Sequence, residues 1–321
     1  MKPGTFMVLA LWLLPAAGMA GAPAGYPPVS VPVTLQRVSE HVYYAGGRAG
    51  AATEYEGFIS NAGVIVTREG IVVFDALGTP SLAWQLMQEI RKISDAPIKA
   101  VVVSHYHADH IYGLQVFKDE AGAEIIAPWG AQEYLGSEAA VNRLEERRFS
   151  LEPWVNERTR IVPPDRLVRK PEVMRLGGVE LVITPVGKAH SDGDLTLYVR
   201  PDQVLFSGDI IFEGRVPWIG NANTRNWLRI LEEMETSRLR ALIPGHGPVA
   251  KNPNKAVALT RRYLQFLREH MGRAAREFIP FDEAYAATDW SAFKDLPAFE
   301  VANRRNAYQV FLAMEAEMLQ E

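Results

Sequence analysis

Ser104-His105-Tyr106-His107-Ala108-Asp109-His110 packs three imidazoles and a carboxylate into six residues, directly after the apolar run 100–103. That run is short, apolar and rich in Val, and reads as a buried strand. His105 and His107 are two residues apart, so an extended stretch points both side chains the same way. Asp109 and His110 follow where the chain turns towards the next helix. A lone His is usually a packing or surface residue, but four such groups in one strand-end loop are a ligand cluster. Neutral imidazole and carboxylate are donors that zinc accepts at about 2.0–2.2 Å. A chain carrying this cluster must fold so that the strand end opens onto the rest of a metal site.

The other histidines show where that remainder lies. The chain has seven. His190 sits in Gly187-Lys188-Ala189-His190-Ser191-Asp192-Gly193-Asp194, between two strand-like runs. His246 sits in Pro244-Gly245-His246-Gly247-Pro248, just after the run 241–243. Asp209 follows the run 204–206 in Ser207-Gly208-Asp209. Each lies beside glycine at an expected strand end, where the backbone can turn to present a ligand. His41 and His270, in a strand and a polar helical stretch, read as ordinary side chains. Cysteine is absent, so every ligand is nitrogen or oxygen and no disulfide forms.

Patterning around these points gives alternating strands and helices. Residues 57–67 and 70–75 flank Arg68-Glu69 as a hairpin. Leu82, Leu86, Ile90 and Ile93 form one apolar stripe on a helix over 81–94. Residues 113–120 and 224–237 read as helices, and 124–127, 173–182, 195–199, 204–206 and 241–243 as strands. Residues 130–160 are polar, charged and helical in pattern, an insertion between two similar halves. Helices are expected again from about 254 and over 303–319. Two halves, each with a strand-to-helix chemistry point, suggest an α/β fold of two sheets between helices in one domain. Its expected limits are 36–321, with a core at 40–250, the insertion at 130–160 and C-terminal helices at 254–321.

The ends and the charge narrow the setting. Lys2, the apolar run 6–17 and Gly18-Met19-Ala20 read as a secretory signal cleaved before Gly21, which places the mature chain in the periplasm or outside the cell. The run is too short for a span, which needs about twenty residues. Residues 21–35, with four prolines, read as an extended leader. The net charge of −4 becomes −5 without residues 1–20. No basic block is present, so nucleic acid is excluded as a partner and a small-molecule substrate is expected.

His105-x-His107-x-Asp109-His110 followed by His190, Asp209 and His246, at intervals of 80, 19 and 37 residues, resembles the metallo-β-lactamase superfamily signature. The resemblance implies a four-layer αββα sandwich and two metal sites, zinc by preference with iron as the other choice. His105, His107 and His190 would hold one ion, Asp109, His110 and His246 the second, and Asp209 would bridge them. Two ions about 3.5–4 Å apart would hold a hydroxide and polarise the substrate, with Asp109 orienting that hydroxide. Asp75, closing the run 71–75, matches a carboxylate that supports the ligands by hydrogen bonding.

Within the superfamily, the missing Cys excludes lactamases with a Cys ligand, and Asp209 separates the chain from the remaining lactamase class. Residues 188–193 differ from the glyoxalase II motif, and no flavin domain is present. The motifs at 187–194, 214–222 (Gly214 to Ala222) and 303–308 (Asn303 to Tyr308) are similar to the exported quinoprotein relay system zinc metallohydrolases and sulfur-oxidation-associated hydrolases. In the loop after Asp209, Arg215, Trp218, Asn221 and Asn223 are candidate substrate contacts, and residues 46–57 a candidate flap. The expected function is a dinuclear zinc hydrolase of ester, thioester, lactone or β-lactam bonds. A mononuclear iron sulfur or persulfide dioxygenase and a non-catalytic metal-binding accessory to a quinoprotein dehydrogenase are the alternatives.

Overall fold

The computed structural model describes residues 25–319; the signal-peptide reading at 1–20 lies outside them. In chain order the elements are β1 (Gln36–Arg37), β2 (Val42–Ala45), β3 (Ala62–Val66), β4 (Ile71–Phe74), α1 (Pro80–Ile93), β5 (Ile98–Val102), α2 (Ala108–Ile111), α3 (Leu114–Ala121), β6 (Glu124–Pro128), α4 (Ala131–Leu135), α5 (Glu138–Ser150), β7 (Arg166–Val168), β8 (Glu172–Leu176), β9 (Val179–Gly187), β10 (Asp194–Val199), β11 (Val204–Phe212), α6 (Thr224–Glu233), β12 (Ala241–His246), α7 (Pro253–Arg276), α8 (Phe281–Ala287) and α9 (Phe299–Met318).

The strands form a seven-stranded sheet in the order β1 to β7 and a five-stranded sheet ordered β12-β11-β10-β9-β8. Period-two alternation assigns the residues of β4 to two different cores. Ile71 and Val73 join Leu82, Leu86 and Ile90 of α1, while Val72 and Phe74 face the other sheet. Between the sheets Phe74 stacks on Phe206, ring centroids 5.1 Å apart. Gly63 lies opposite, where an added Cβ would come within 2.1 Å of the Phe206 ring. A third core buries Trp227 of α6 with Leu264 and Leu267 of α7 and Val310 of α9 against β11. Three cores between four layers make the αββα sandwich, and the described residues form one domain.

Several boundaries differ from the sequence reading, for local reasons. Thr79 caps α1 by accepting the Leu82 N–H at 3.1 Å, with Pro80 in the first turn. The helix therefore starts one residue early, and Ile93, placed in the buried stripe, is 40% exposed. Only Ala62–Val66 of the 57–67 run is strand, because residues 59–61 turn away to support the site. β11 and β12 run through Gly208 and Pro244-Gly245, which read as strand ends. Their ladder shifts register there instead of stopping. β1, β7 and α8 were not anticipated, and within 130–160 helix ends at Ser150. Residues 25–35 carry no helix or strand but pack on the domain: Val33 is buried and Tyr26 stacks on Trp84. No helix of the described residues is long and apolar enough to cross a membrane.

Candidate metal centre

The seven sequence-marked groups meet at one end of the two sheets. β5 leads into His105 and His107, and the one-turn α2 carries Asp109 and His110. His190 comes from the β9–β10 connection, Asp209 from β11 and His246 from the end of β12. The sheets are stitched together there by the Leu195 N–H, which donates to the Ser104 carbonyl at 2.9 Å. Gly245 is required where β11 and β12 meet, since a Cβ would lie 1.9 Å from Asp209 Oδ1.

Donor atoms fall into groups that share members. One group is His105, His107 and His190, a second is Asp109, His110 and His246, and a third joins His105, His110 and Asp209. Within each group the donor atoms lie within 4.8 Å of one another. Asp209 stands between the first two. Its Oδ2 is 3.3 Å from both His190 Nε2 and His246 Nε2, and its Oδ1 is 3.3 Å from His110 Nε2. His107 Nδ1 and His190 Nε2 face each other at 2.9 Å.

The outward nitrogens are held elsewhere, which aims the inward ones. His105 Nδ1 meets Ser104 Oγ at 2.9 Å, His110 Nδ1 meets Asp75 Oδ2 at 2.9 Å, and His246 Nδ1 meets the Ile59 carbonyl at 2.7 Å. This is how ligating histidines are oriented. The inward His105 Nε2, His110 Nε2 and Asp209 Oδ1 are buried without a hydrogen-bond partner among the described residues. Buried polar atoms are rarely left so, and a cation satisfies all three. The donor set therefore fits metal ions.

The charges agree. Burial pushes His105 well below its ordinary value, and pushes His190 down to about 3. Burial opposes ionisation of Asp209 and Asp109, but His246 and His110 outweigh it and hold both carboxyls below the usual range. Burial likewise opposes charge on His110 and His246, which the carboxylates, led by Asp209, overcome. A metal ion takes the place of such protons.

Asp75 bonds to both Ser104 and His110. Its Oδ1 accepts the Ser104 N–H at 2.7 Å and its Oδ2 accepts Ser104 Oγ–H at 2.8 Å, alongside the bond to His110. It adopts φ +61°, a left-handed conformation that Asp tolerates. Three supports were not found from sequence. Asn61 donates to the Pro244 and Gly247 carbonyls at 2.8 Å, clasping the His246 turn. Ser60 Oγ donates to the Asp109 carbonyl. Asp194, within a motif already noted, accepts the Ala189 and Ser191 N–H groups on either side of His190 at 3.1 and 3.0 Å. Burial raises its carboxyl to about 7.

The expected substrate contacts divide. Arg215 is 6% exposed, and its Nη1 has no partner among the described residues. Trp218 is half-buried under the Arg305 guanidinium, 4.9 Å from the ring centre. Asn221 is exposed and its side chain makes no hydrogen bond among the described residues. The Asn223 side chain caps α6 by accepting the Asn226 N–H at 3.0 Å. In residues 46–57 a 3-10 turn (Ala52–Glu54) and bonds from Gly47 N–H to Asn61 Oδ1 and Arg48 N–H to the Phe58 carbonyl tie the candidate flap down. The site opens where His107 and Asp109 are half-exposed, beside a cleft that reaches Tyr134 and Ser191.

A family model described as the metallo-beta-lactamase superfamily matches residues 55–246. Acyl-coenzyme A thioesterase MBLAC2 of Gallus gallus is 31% identical over 157 residues, covering 45% of this chain and 55% of its own. Metallo-beta-lactamase IND-1 of Chryseobacterium indologenes is 23% identical over 211 residues, covering 64% and 77%. Among solved structures, the sec-alkylsulfatase Pisa1 from Pseudomonas sp. superposes with a TM-score of 0.67 at 19% identity, covering 88% of this chain and 50% of its own. The chain thus spans about half the length of the thioesterase and of the alkylsulfatase.

Proposed function

The chain belongs to the metallo-beta-lactamase superfamily, and from that premise we propose that it is an exported dinuclear zinc-dependent hydrolase of a small molecule. The bond cleaved is an ester, thioester, lactone or β-lactam. One observation carries this reading: two three-residue donor groups share Asp209 between them. Five imidazoles and two carboxylates, without thiolate, suit zinc. A single-iron dioxygenase would use one group and leave the buried His110 Nε2 unsatisfied.

When bound, two such ions supply Lewis acidity towards the substrate oxygen and a water acidified towards neutrality. The protein provides the rest. His105, His107 and His190 would hold one ion, Asp109, His110 and His246 the other, and Asp209 would reach both. The Asp109 carboxylate, ionised and 19% exposed on the open side, would orient the attacking water by accepting a hydrogen bond from it. Asp75 and Ser104 fix the rings of His110 and His105. Arg215 and Trp218 face the substrate.

The motifs that resemble those of the exported branch support the finer reading, because they are bonded to one another. The Asn223 N–H donates to the Ala189 carbonyl at 2.8 Å, joining the loop after Asp209 to the His190 motif. Asn306 bonds to Pro217 and Ile219.

The test is a turnover screen with chromogenic esters, thioesters and a cephalosporin. Activity on at least one is expected, lost on exhaustive chelation and restored by added zinc. Turnover that survives complete metal removal contradicts the proposal.

A further inference from the structure

Residues 213–223, between β11 and α6, are tied at both ends to ligand-bearing segments. The Glu213 N–H donates to the His246 carbonyl at 3.1 Å, and the Asn223 N–H to Ala189, next to His190, at 2.8 Å. The middle of the loop is held by the C-terminal helices. The Val216 N–H donates to the Pro297 carbonyl at 3.2 Å. The Ile219 N–H donates to Asn306 Oδ1 at 3.0 Å, and Asn306 Nδ2 donates to the Pro217 carbonyl at 2.6 Å. Asn306 is fully buried and also donates to the Tyr263 hydroxyl of α7 at 3.0 Å. The neighbouring Arg305 is exposed, lies over Trp218 and has no carboxylate partner among the described residues.

Below this rim lies Arg215. Burial pushes its guanidinium down, opposed by the charges of Asp209 and Asp109. No carboxylate lies within ion-pair distance of it among the described residues. Its Nε–H donates to the Val216 carbonyl at 3.4 Å, while Nη1 is buried without a hydrogen-bond partner among the described residues, which is costly unless an anion meets it. The fork geometry of arginine suits a carboxylate in particular.

We infer that α9 is part of the substrate-binding machinery. Asn306 positions the loop that carries Arg215 and Trp218, Arg305 gives that loop a cationic rim, and the preferred substrate bears a carboxylate near the scissile bond. This rests on the hydrolase reading, but α9 lies outside the 55–246 segment that carries the family likeness. Arg305 is a specificity-determining residue and Asn306 a positioning residue.

The experiment compares the zinc-loaded full chain with Arg305→Gln and Asn306→Leu. Two esters are used, neutral 4-nitrophenyl acetate and carboxylate-bearing mono-4-nitrophenyl succinate. Arg305→Gln should cut kcat/KM for the succinate ester about threefold to tenfold more than for the acetate, and Arg305→Lys should restore part of the difference. Asn306→Leu should raise KM for the succinate ester about tenfold, with a smaller change in kcat and unchanged zinc content. If Asn306→Leu does not fold, Asn306→Asp replaces it, keeping the acceptor for Ile219 and losing the donor to Pro217. Calorimetric titration with succinanilate, the same acid on an amide, reads binding without turnover, and both variants should bind it about threefold to tenfold more weakly. A wild-type protein that hydrolyses neither ester speaks against the hydrolase reading, while the succinanilate titration still decides the role of α9. Equal losses on both esters, or unchanged succinanilate binding in both variants, overturns the inference.

Discussion

Asp209→Ala will lower turnover by about a thousandfold or more, because the bridging carboxylate supplies part of the several kcal/mol that a two-metal site contributes. It will also reduce bound metal. Asp209 touches His190, His246 and His110 at 3.3 Å and so reaches both donor groups. The fold should survive. Its Oδ1 has no hydrogen-bond partner to lose among the described residues. The checks are steady-state rates, metal content and circular dichroism on the same preparation. A folded variant that retains activity within about tenfold of wild type would show that Asp209 does not bridge.

Asp75→Asn acts one step further out. Asn tolerates the φ +61° backbone that Asp75 adopts and can still accept the Ser104 N–H. Its amide cannot accept from both Ser104 Oγ and His110 Nδ1 as the carboxylate does. His110 then loses the partner that fixes its tautomer. The affinity of the site for zinc should fall about tenfold to a hundredfold, read by competition with a chromogenic chelator. Unchanged affinity would reduce Asp75 to a strand-end turn residue.

What could be read from sequence followed from spacing. His105, His107, Asp109 and His110 are adjacent, and His190, Asp209 and His246 each lie beside glycine, so the donor set needed no tertiary information. Strand ends were harder. Gly208 and Pro244-Gly245 ordinarily punctuate, yet β11 and β12 continue through them by shifting register. Gly208 does so at φ +51°. The supports were the least legible. Asn61 reaches residues 183 and 186 positions away, and Asn306 reaches a loop 87 to 89 positions before it. No periodicity records contacts of that kind. The capping role of Asn223 was not legible either, because a loop Asn next to a helix start reads equally as a ligand contact or a cap.

Elemental analysis of the purified protein tests most directly whether two cations sit around Asp209. About two zinc ions per chain is the result expected of a two-metal centre. A single iron per chain, with no second metal taken up on titration, would contradict it.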